Sequence, residues 1–260
     1  MIVVDNNSSD DTAAIVAQLA NAEPKIRLVR ELKQGCAPAR TAGMDVASGD
    51  VIARIDVDTA VDRGWAASIR RFFEEHGDAY GAATGTCSIY DLPFQKSFRK
   101  AHQKLNARKR NKLERGEGID SPGVFGSNMA IARGVWADLK PLLHDGADIH
   151  EDTDITLSLK EKGYRIALLP GMSAQISGRR YLTSPAAYWS YAKRGPMAFA
   201  VHGHRVQAAV NLVLVAVFAM PFYFLTWMPF RAWNPETATF SFRRIFLPVE
   251  KRSQPRAHLE

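Results

Sequence analysis

Two aspartates stand two residues apart in IARIDVDT, Asp56 and Asp58, directly after an apolar run that reads as a strand. Side chains along a strand alternate faces, but a chain turning off its strand can bring both carboxylates to one ion. A site made of oxygen ligands suits Mg²⁺ or Mn²⁺, which can bridge a diphosphate and neutralise the charge it gains on leaving. Asp5 closes a second apolar run, IVVD. A third acidic group, Glu151, Asp152 and Asp154, lies at the start of a helix marked by Ile155 and Leu159. A carboxylate there can take the proton of an attacking hydroxyl, or it can simply cap the helix and favour its dipole. From the residues alone both readings stand. His144 and His150 read as local polar residues rather than metal ligands.

The elements that must position these groups follow from periodicity. Ile2 to Val4 is β-branched, Ser9 to Thr12 offers N-cap chemistry, and Ile15, Val16 and Leu19 form a helical stripe. Ile26 to Val29 reads as the next strand. Pro38 opens a helix through Ala39, Ala42 and Val46, Gly49 stands where a C-cap glycine belongs, and Val51 to Ile55 is the third strand. Strands alternating with short helices predict an α/β domain with a mostly parallel sheet. In such sheets ligands gather at the carboxyl ends of strands, which is where Asp5, Asp56 and Asp58 fall. Trp65, Ile69, Phe72 and Phe73 recur at helical spacing and predict a core-facing helix.

With 46% hydrophobic and 23% charged residues among 260, the chain has the balance of an ordered globular protein. A formal charge of +7 suits contact with phosphates or anionic lipid. Cys36 and Cys87 make no metal-ligand spacing and no disulfide framework, which points to a reducing compartment. Met1 is followed at once by Ile-Val-Val-Asp, without a basic n-region or a cleavage site, so a signal peptide is not expected here. Lys96 to Arg115 is strongly basic and reads as a solvated helix or a surface for anions. No nucleic-acid motif accompanies it, so nucleic acid is not an expected partner. Val206 to Phe230 is uncharged between Arg205 and Arg231, long enough to span a bilayer, with Tyr223, Trp227 and Trp233 as an aromatic belt. Pro221 is tolerable in such a helix, while Gln207, Asn211 and the two prolines leave room for a re-entrant or interfacial hairpin.

Four runs carry a family likeness: IVVDNNSSDDT, QGCAPARTAGMDVASGDVIARIDVDT, GSNMAIARGVW and HEDTDITLSLKEKGYRIALLP. Together, over roughly residues 1 to 170, they resemble the family 2 glycosyltransferases of the GT-A fold. The resemblance implies inverting transfer of a sugar from a nucleotide-sugar donor, a UDP-sugar, to a hydroxyl acceptor, either lipid-linked or a saccharide. It implies that Asp5 contacts the base and ribose of the donor. Arg40 in PARTAG matches the arginine of the family's A-R-N-x-G pattern, with Thr41 replacing the usual Asn. Asp58 would bind Mn²⁺ or Mg²⁺, with Asp56 beside it and toward the ribose. Gly126, Asn128 and Met129 match a loop lining donor sugar and acceptor, and Glu151 and Asp152 match the Glu-Asp pair whose aspartate is the general base.

Family members normally have an earlier strand and a Pro-containing loop that help hold the nucleotide, and this chain begins after them. Arg179 and Arg180 in SGRRYL are only loosely similar to the arginine-rich motif of polymer-making members, which favours single addition over processive synthesis. The expected organisation is a GT-A domain over 1–180, an interfacial helical region over 181–205, a transmembrane helix over 206–230 and a basic tail over 231–260. Because nucleotide sugars are cytosolic, the domain is expected on the cytosolic face of the cytoplasmic membrane. Two other classes remain open at this point: a nucleotide-sugar-binding scaffold without turnover, and a nucleotidyltransferase.

Overall fold

The computed structural model of the chain describes residues 1–93, 120–144 and 148–248, with the isolated positions 100, 104, 107, 108 and 111. Most of the basic stretch 96–115 and the end of the tail lie outside the described residues. Strand β1 (Ile2–Asp5) pairs in parallel with β2 (Arg27–Arg30), Asp5 opposite Arg30. Helix α1 (Thr12–Ala22) crosses between them, its start fixed by Asp10, whose Oδ1 accepts from the Thr12 amide at 3.1 Å and hydroxyl at 2.6 Å. The stripe expected to be covered is not: Ile15 and Leu19 remain exposed. Among the described residues it packs mainly on these two short strands.

Helix α2 (Cys36–Asp45) holds Pro38 in its first turn, where a missing N–H costs nothing. It stops at Asp45, so Gly49 lies in the following turn rather than at the helix cap. This helix joins two sheets. Gly43 lies against Val4, and Met44 is buried with Ile52.

The larger sheet contains β3 (Val51–Ile55), β4 (Ala60–Val61), β5 (Ala82–Ile89), β6 (Asn128–Ala132) and β7 (Ile166–Ile176), in the spatial order β3-β6-β5-β7-β4. Only β5 and β7 run parallel there; the β3–β6, β6–β5 and β4–β7 pairs are antiparallel. The sheet is therefore mixed. The alternation of strand and helix gave the one parallel pair of the first third, β1–β2, whereas β3, expected beside them, lies in the larger sheet, where β6 inserts between it and β5 antiparallel to both.

Helix α3 (Trp65–His76) covers one face, packing Ile69 and Phe72 against Tyr80, Leu169 and Met172. On the other face α4 (Arg133–Leu139) and α5 (Glu151–Glu161) bury Trp136, Leu139, Ile155 and Leu159 against Ile52, Met129 and Ile131. Each fully buried aliphatic side chain contributes about 1.5–3 kcal/mol. Between Gly85 and Cys87 the β5–β7 register slips as β7 bulges. The Met172 carbonyl then lies where a Cβ on residue 85 would be, which only glycine permits.

Beyond β7 come α6 (Pro185–Ala192), α7 (Arg194–Val201) and, after a turn at Gly203 with φ 80°, the 28-residue α8 (Arg205–Ala232). Its middle, Val215–Ala219, is π-helical. Helix α8 is long and apolar enough to cross a membrane, spanning about 42 Å. Its start packs beside α7, and its second half packs on α6. Tyr223 stacks on Tyr188 at 4.0 Å, and Tyr223 and Trp227 both donate to the Thr183 carbonyl. Arg231 donates to the Leu182 and Ile245 carbonyls. Away from this seam Val206, Val210, Val213, Val217, Leu225 and Met228 are exposed. A hairpin of β8 (Trp233–Asn234) and β9 (Thr239–Phe240) follows.

Candidate active site

Arg40, one turn into α2, reaches two carboxylates: Asp56 Oδ1 at 2.7 Å, just past β3, and Glu151 Oε2 at 2.5 Å, at the start of α5. Burial would lower its proton affinity, but Glu151 and then Asp56 outweigh that, and the guanidinium is held charged more firmly than usual. Arg54 comes from inside β3 with its side chain 8% exposed. It donates to the other Glu151 oxygen and, through Nε, to the Gly126 carbonyl at 2.8 Å. Glu151 is thus gripped by arginines from α2 and β3. A Cβ on residue 126 would press on the Arg54 guanidinium, so glycine here leaves Arg54 room to reach the backbone. One relay of contacts links Asp56, Arg40, Glu151, Arg54 and Gly126.

The three acids at the start of α5 have separate fates. Glu151 is neutralised by the arginines. Asp154 is buried and takes the amide and ring of His144 and the ring of His202. Asp152 is partly exposed and, among the described residues, has no cationic partner within ion-pair distance. Its Oδ1 accepts from the Thr153 amide at 2.9 Å, and the Gly126 amide approaches Oδ2 at 3.4 Å. Nearby, the His150 ring meets Tyr191 edge-on at 4.3 Å, and the Arg180 guanidinium covers Tyr191 at 4.2 Å. Burial lowers the His150 pKa despite the opposing charge of Asp152. Burial, reinforced by Asp152, raises that of Tyr191.

Asp58 faces Arg179 at 3.9 Å, the outer limit of an ion pair, while its backbone carbonyl accepts from the Tyr90 hydroxyl. Burial raises its carboxyl above the ordinary range; Arg179 opposes this and Asp56 adds to it. Arg179 is itself held by Ser177, which donates to Asp91 at 2.5 Å. Asp5 is buried at the end of β1, its side chain accepting from the Ser8 amide at 3.3 Å. The adjacent Asn6 ties down residues 31 to 35, the approach to α2, through the Glu31 and Lys33 carbonyls and the Gly35 amide. Among the described residues Asp5 shares no hydrogen bond or ion pair with the Arg40 relay.

Asn128 and Met129 are fully buried beneath the rim. Asn128 accepts from Trp65 Nε1 at 2.8 Å and donates to the Met172 carbonyl at 2.6 Å, while Met129 packs in the core. The side chains that sequence reasoning missed are Arg54, Tyr191 and, as site members, Arg179 and Arg180. Arg54 did leave a signal, since an arginine inside the apolar run VIARI needs carboxylates to be buried. Asp56 and Asp58 offer oxygen donors only. Asp56 is committed to Arg40 and Asp58 is only weakly countered, so Asp58 is the oxygen donor of the two left more open to a divalent cation.

Two solved structures similar to this chain share its architecture. One is the mannosyltransferase PcManGT from Pyrobaculum calidifontis in complex with GDP-Man and Mn²⁺, with a TM-score of 0.57, 18% identity, and coverage of 86% of this chain and 63% of that one. Another is GalNAc-T7 with UDP, GalNAc and Mn²⁺, with a TM-score of 0.52, 14% identity, and coverage of 85% and 51%. The chain therefore spans between about half and two thirds of these neighbours. No curated protein sequence matches it. The model of glycosyl transferase family 2 matches residues 1–139, which include β1, α2, the Asp56–Asp58 pair and β6. With that match over more than half its length and a fold shared with GT-A glycosyltransferases, the chain belongs to glycosyl transferase family 2.

Proposed function

We propose that the protein transfers a sugar from a nucleotide-sugar donor, a UDP-sugar, to a hydroxyl acceptor with inversion, using Asp152 as the base. The observation that carries this reading is the partition of the acids on α5. Glu151 is held by two arginines, Asp154 by two histidines, and Asp152 has no cation within reach among the described residues. A carboxylate partly exposed at the rim and free of a fixed counterion can take the proton of an acceptor hydroxyl as its oxygen attacks the anomeric carbon. The amide contacts from Thr153 and Gly126 fix its orientation.

Mn²⁺ or Mg²⁺ held by Asp58, with Asp56 beside it, would neutralise charge on the departing diphosphate. Both solved neighbours above contain Mn²⁺ and a nucleotide, which supports that reading. Arg40 holds Asp56 in place, and Arg179 brings positive charge to the same rim. Asp5 would meet the base and ribose. Gly126 lines the sugar, with Asn128 and Met129 forming the floor beneath and Glu151 setting the position of the loop. The exposed apolar side of α8 would enter the membrane, leaving the domain on the cytosolic surface near a lipid-linked or saccharide acceptor.

The test is product chemistry. The full chain, incubated with Mn²⁺, an acceptor alcohol and a UDP-sugar, is expected to release UDP and leave a glycoside of inverted configuration. Release of pyrophosphate from a nucleoside triphosphate instead would place the site in nucleotidyl transfer.

A further inference from the structure

On α5, Asp154 lies two residues beyond Asp152, about 200° further around the helix, and faces away from the rim. There His144, from the loop after α4, and His202, from the turn between α7 and α8, converge on one carboxylate oxygen. His144 Nδ1 lies 2.8 Å and His202 Nε2 2.7 Å from Asp154 Oδ1, and all three donor atoms lie within 4.8 Å of one another. The His202 and Asp154 side chains are 3% and 2% exposed, while that of His144 is 39% exposed and leaves one side open to solvent.

The proton count is informative. His202 Nε2 meets Asp154, and its other nitrogen, Nδ1, meets Glu161 Oε1 at 2.8 Å. A neutral imidazole carries a single N–H, so the two carboxylates are both satisfied only by an imidazolium or by a metal ion in place of one proton. A metal ion on Nε2 serves both contacts with a neutral ring. Nε2 becomes the ligand, Nδ1–H donates to Glu161, and the result is the carboxylate–histidine–metal arrangement that orients ligating histidines.

We propose that His144, Asp154 and His202 form a Zn²⁺ site, separate from the oxygen site at Asp56 and Asp58. Two imidazoles and a carboxylate match zinc, which binds them at about 2.0–2.2 Å in tetrahedral geometry. Mg²⁺ and Mn²⁺ prefer oxygen ligands. Ligand atoms of such a tetrahedron stand about 3.4 Å apart, so each ring nitrogen moves away from Asp154 Oδ1 by roughly half an ångström while the two nitrogens, within 4.8 Å of each other, close toward the same spacing. The fourth position opens beside the half-exposed His144. Because its ligands come from α5, the loop after α4 and the root of α8, the ion cross-links the helix that carries Asp152 to the helix that carries the apolar face.

The experiment uses the full chain in detergent, stripped with chelator and titrated with ZnCl₂ by calorimetry and metal analysis. One Zn²⁺ per chain is expected, with a rise in thermal midpoint that neither MgCl₂ nor MnCl₂ reproduces. His144→Ala, at the half-exposed ligand, and Asp154→Asn are each expected to weaken Zn²⁺ binding at least about tenfold. Glu161→Gln should weaken it about 10- to 100-fold through His202. Asp58→Ala should leave it unchanged. Failure of the wild-type chain to bind Zn²⁺ overturns the proposal, and so does wild-type affinity in a folded His144→Ala chain. A cluster whose only measurable property is pH-dependent stability, without zinc uptake, overturns it as well.

Discussion

At the scale of residues, the acids Glu151 and Asp152 are adjacent in sequence yet keep different company. Glu151 joins α2 to β3 through Arg40 and Arg54, while Asp152 has no cation within ion-pair distance among the described residues, as the proposed base requires. Asp152→Asn retains shape and removes proton-accepting capacity, so turnover is expected to fall about 10²- to 10⁴-fold with donor affinity little changed. Comparing kcat with donor binding by calorimetry checks this. Arg54→Ala should behave differently. It strips a partly buried carboxylate of one of its two cations and the Gly126 carbonyl of its donor, a loss of about 1–3 kcal/mol visible as a lowered thermal midpoint. An unchanged midpoint would show that Arg54 is not a structural counterion. At Asp58 the raised carboxyl sets a pH dependence. A metal needs the carboxylate form, so metal-dependent donor binding should weaken as pH falls toward a value above the ordinary 3.8, and Asp58→Ala should abolish the metal dependence. Equal donor affinity with and without Mn²⁺ at neutral pH would contradict the assignment.

At the scale of elements, what periodicity could show was the local part. The helix at Trp65, the strands at Ile2 and Val51 and the acidic start of α5 were legible, because each depends on neighbours within one or two turns. The antiparallel insertion of β6 was not, since strand order depends on pairings about 75 residues apart, such as Ile55 with Asn128. Nor was the company that the site residues keep: Arg54 meets Glu151 97 residues on, and Asp154 meets His202 48 residues on. The aspartates stood out in sequence because metal and base chemistry would restrict residue type, whereas their counterions can come from any element that packs nearby. Helix α8 shows the same division. Its apolar length is plain in the sequence, but the seam of Tyr223, Trp227 and Arg231 on backbone carbonyls is tertiary. Charging the free side should test the membrane role without disturbing that seam. Val213→Glu with Val217→Glu, both at exposed positions, is expected to move the chain from the membrane pellet to the supernatant while retaining its fold by circular dichroism. Recovery of the unaltered chain in the detergent-free supernatant would refute the anchor.

At the scale of the molecule, the mixed sheet gathers the ends of β3, α2 and α5 at one rim, and α8 lies alongside with an uncovered apolar side. Donor, acceptor and membrane would then meet on neighbouring surfaces of a single chain, which suits transfer to an acceptor held at a bilayer. The most direct test of the central claim is single-turnover transfer by the full chain with Mn²⁺, an acceptor alcohol and UDP-glucose, UDP-galactose or UDP-N-acetylglucosamine, with the glycoside and UDP followed together by NMR. The account predicts equal amounts of UDP and inverted glycoside from the wild-type chain, and a loss of about 10²-fold or more on Asp152→Asn. Inverted glycoside formed at the wild-type rate by Asp152→Asn, or glycoside formed with retention, would contradict it.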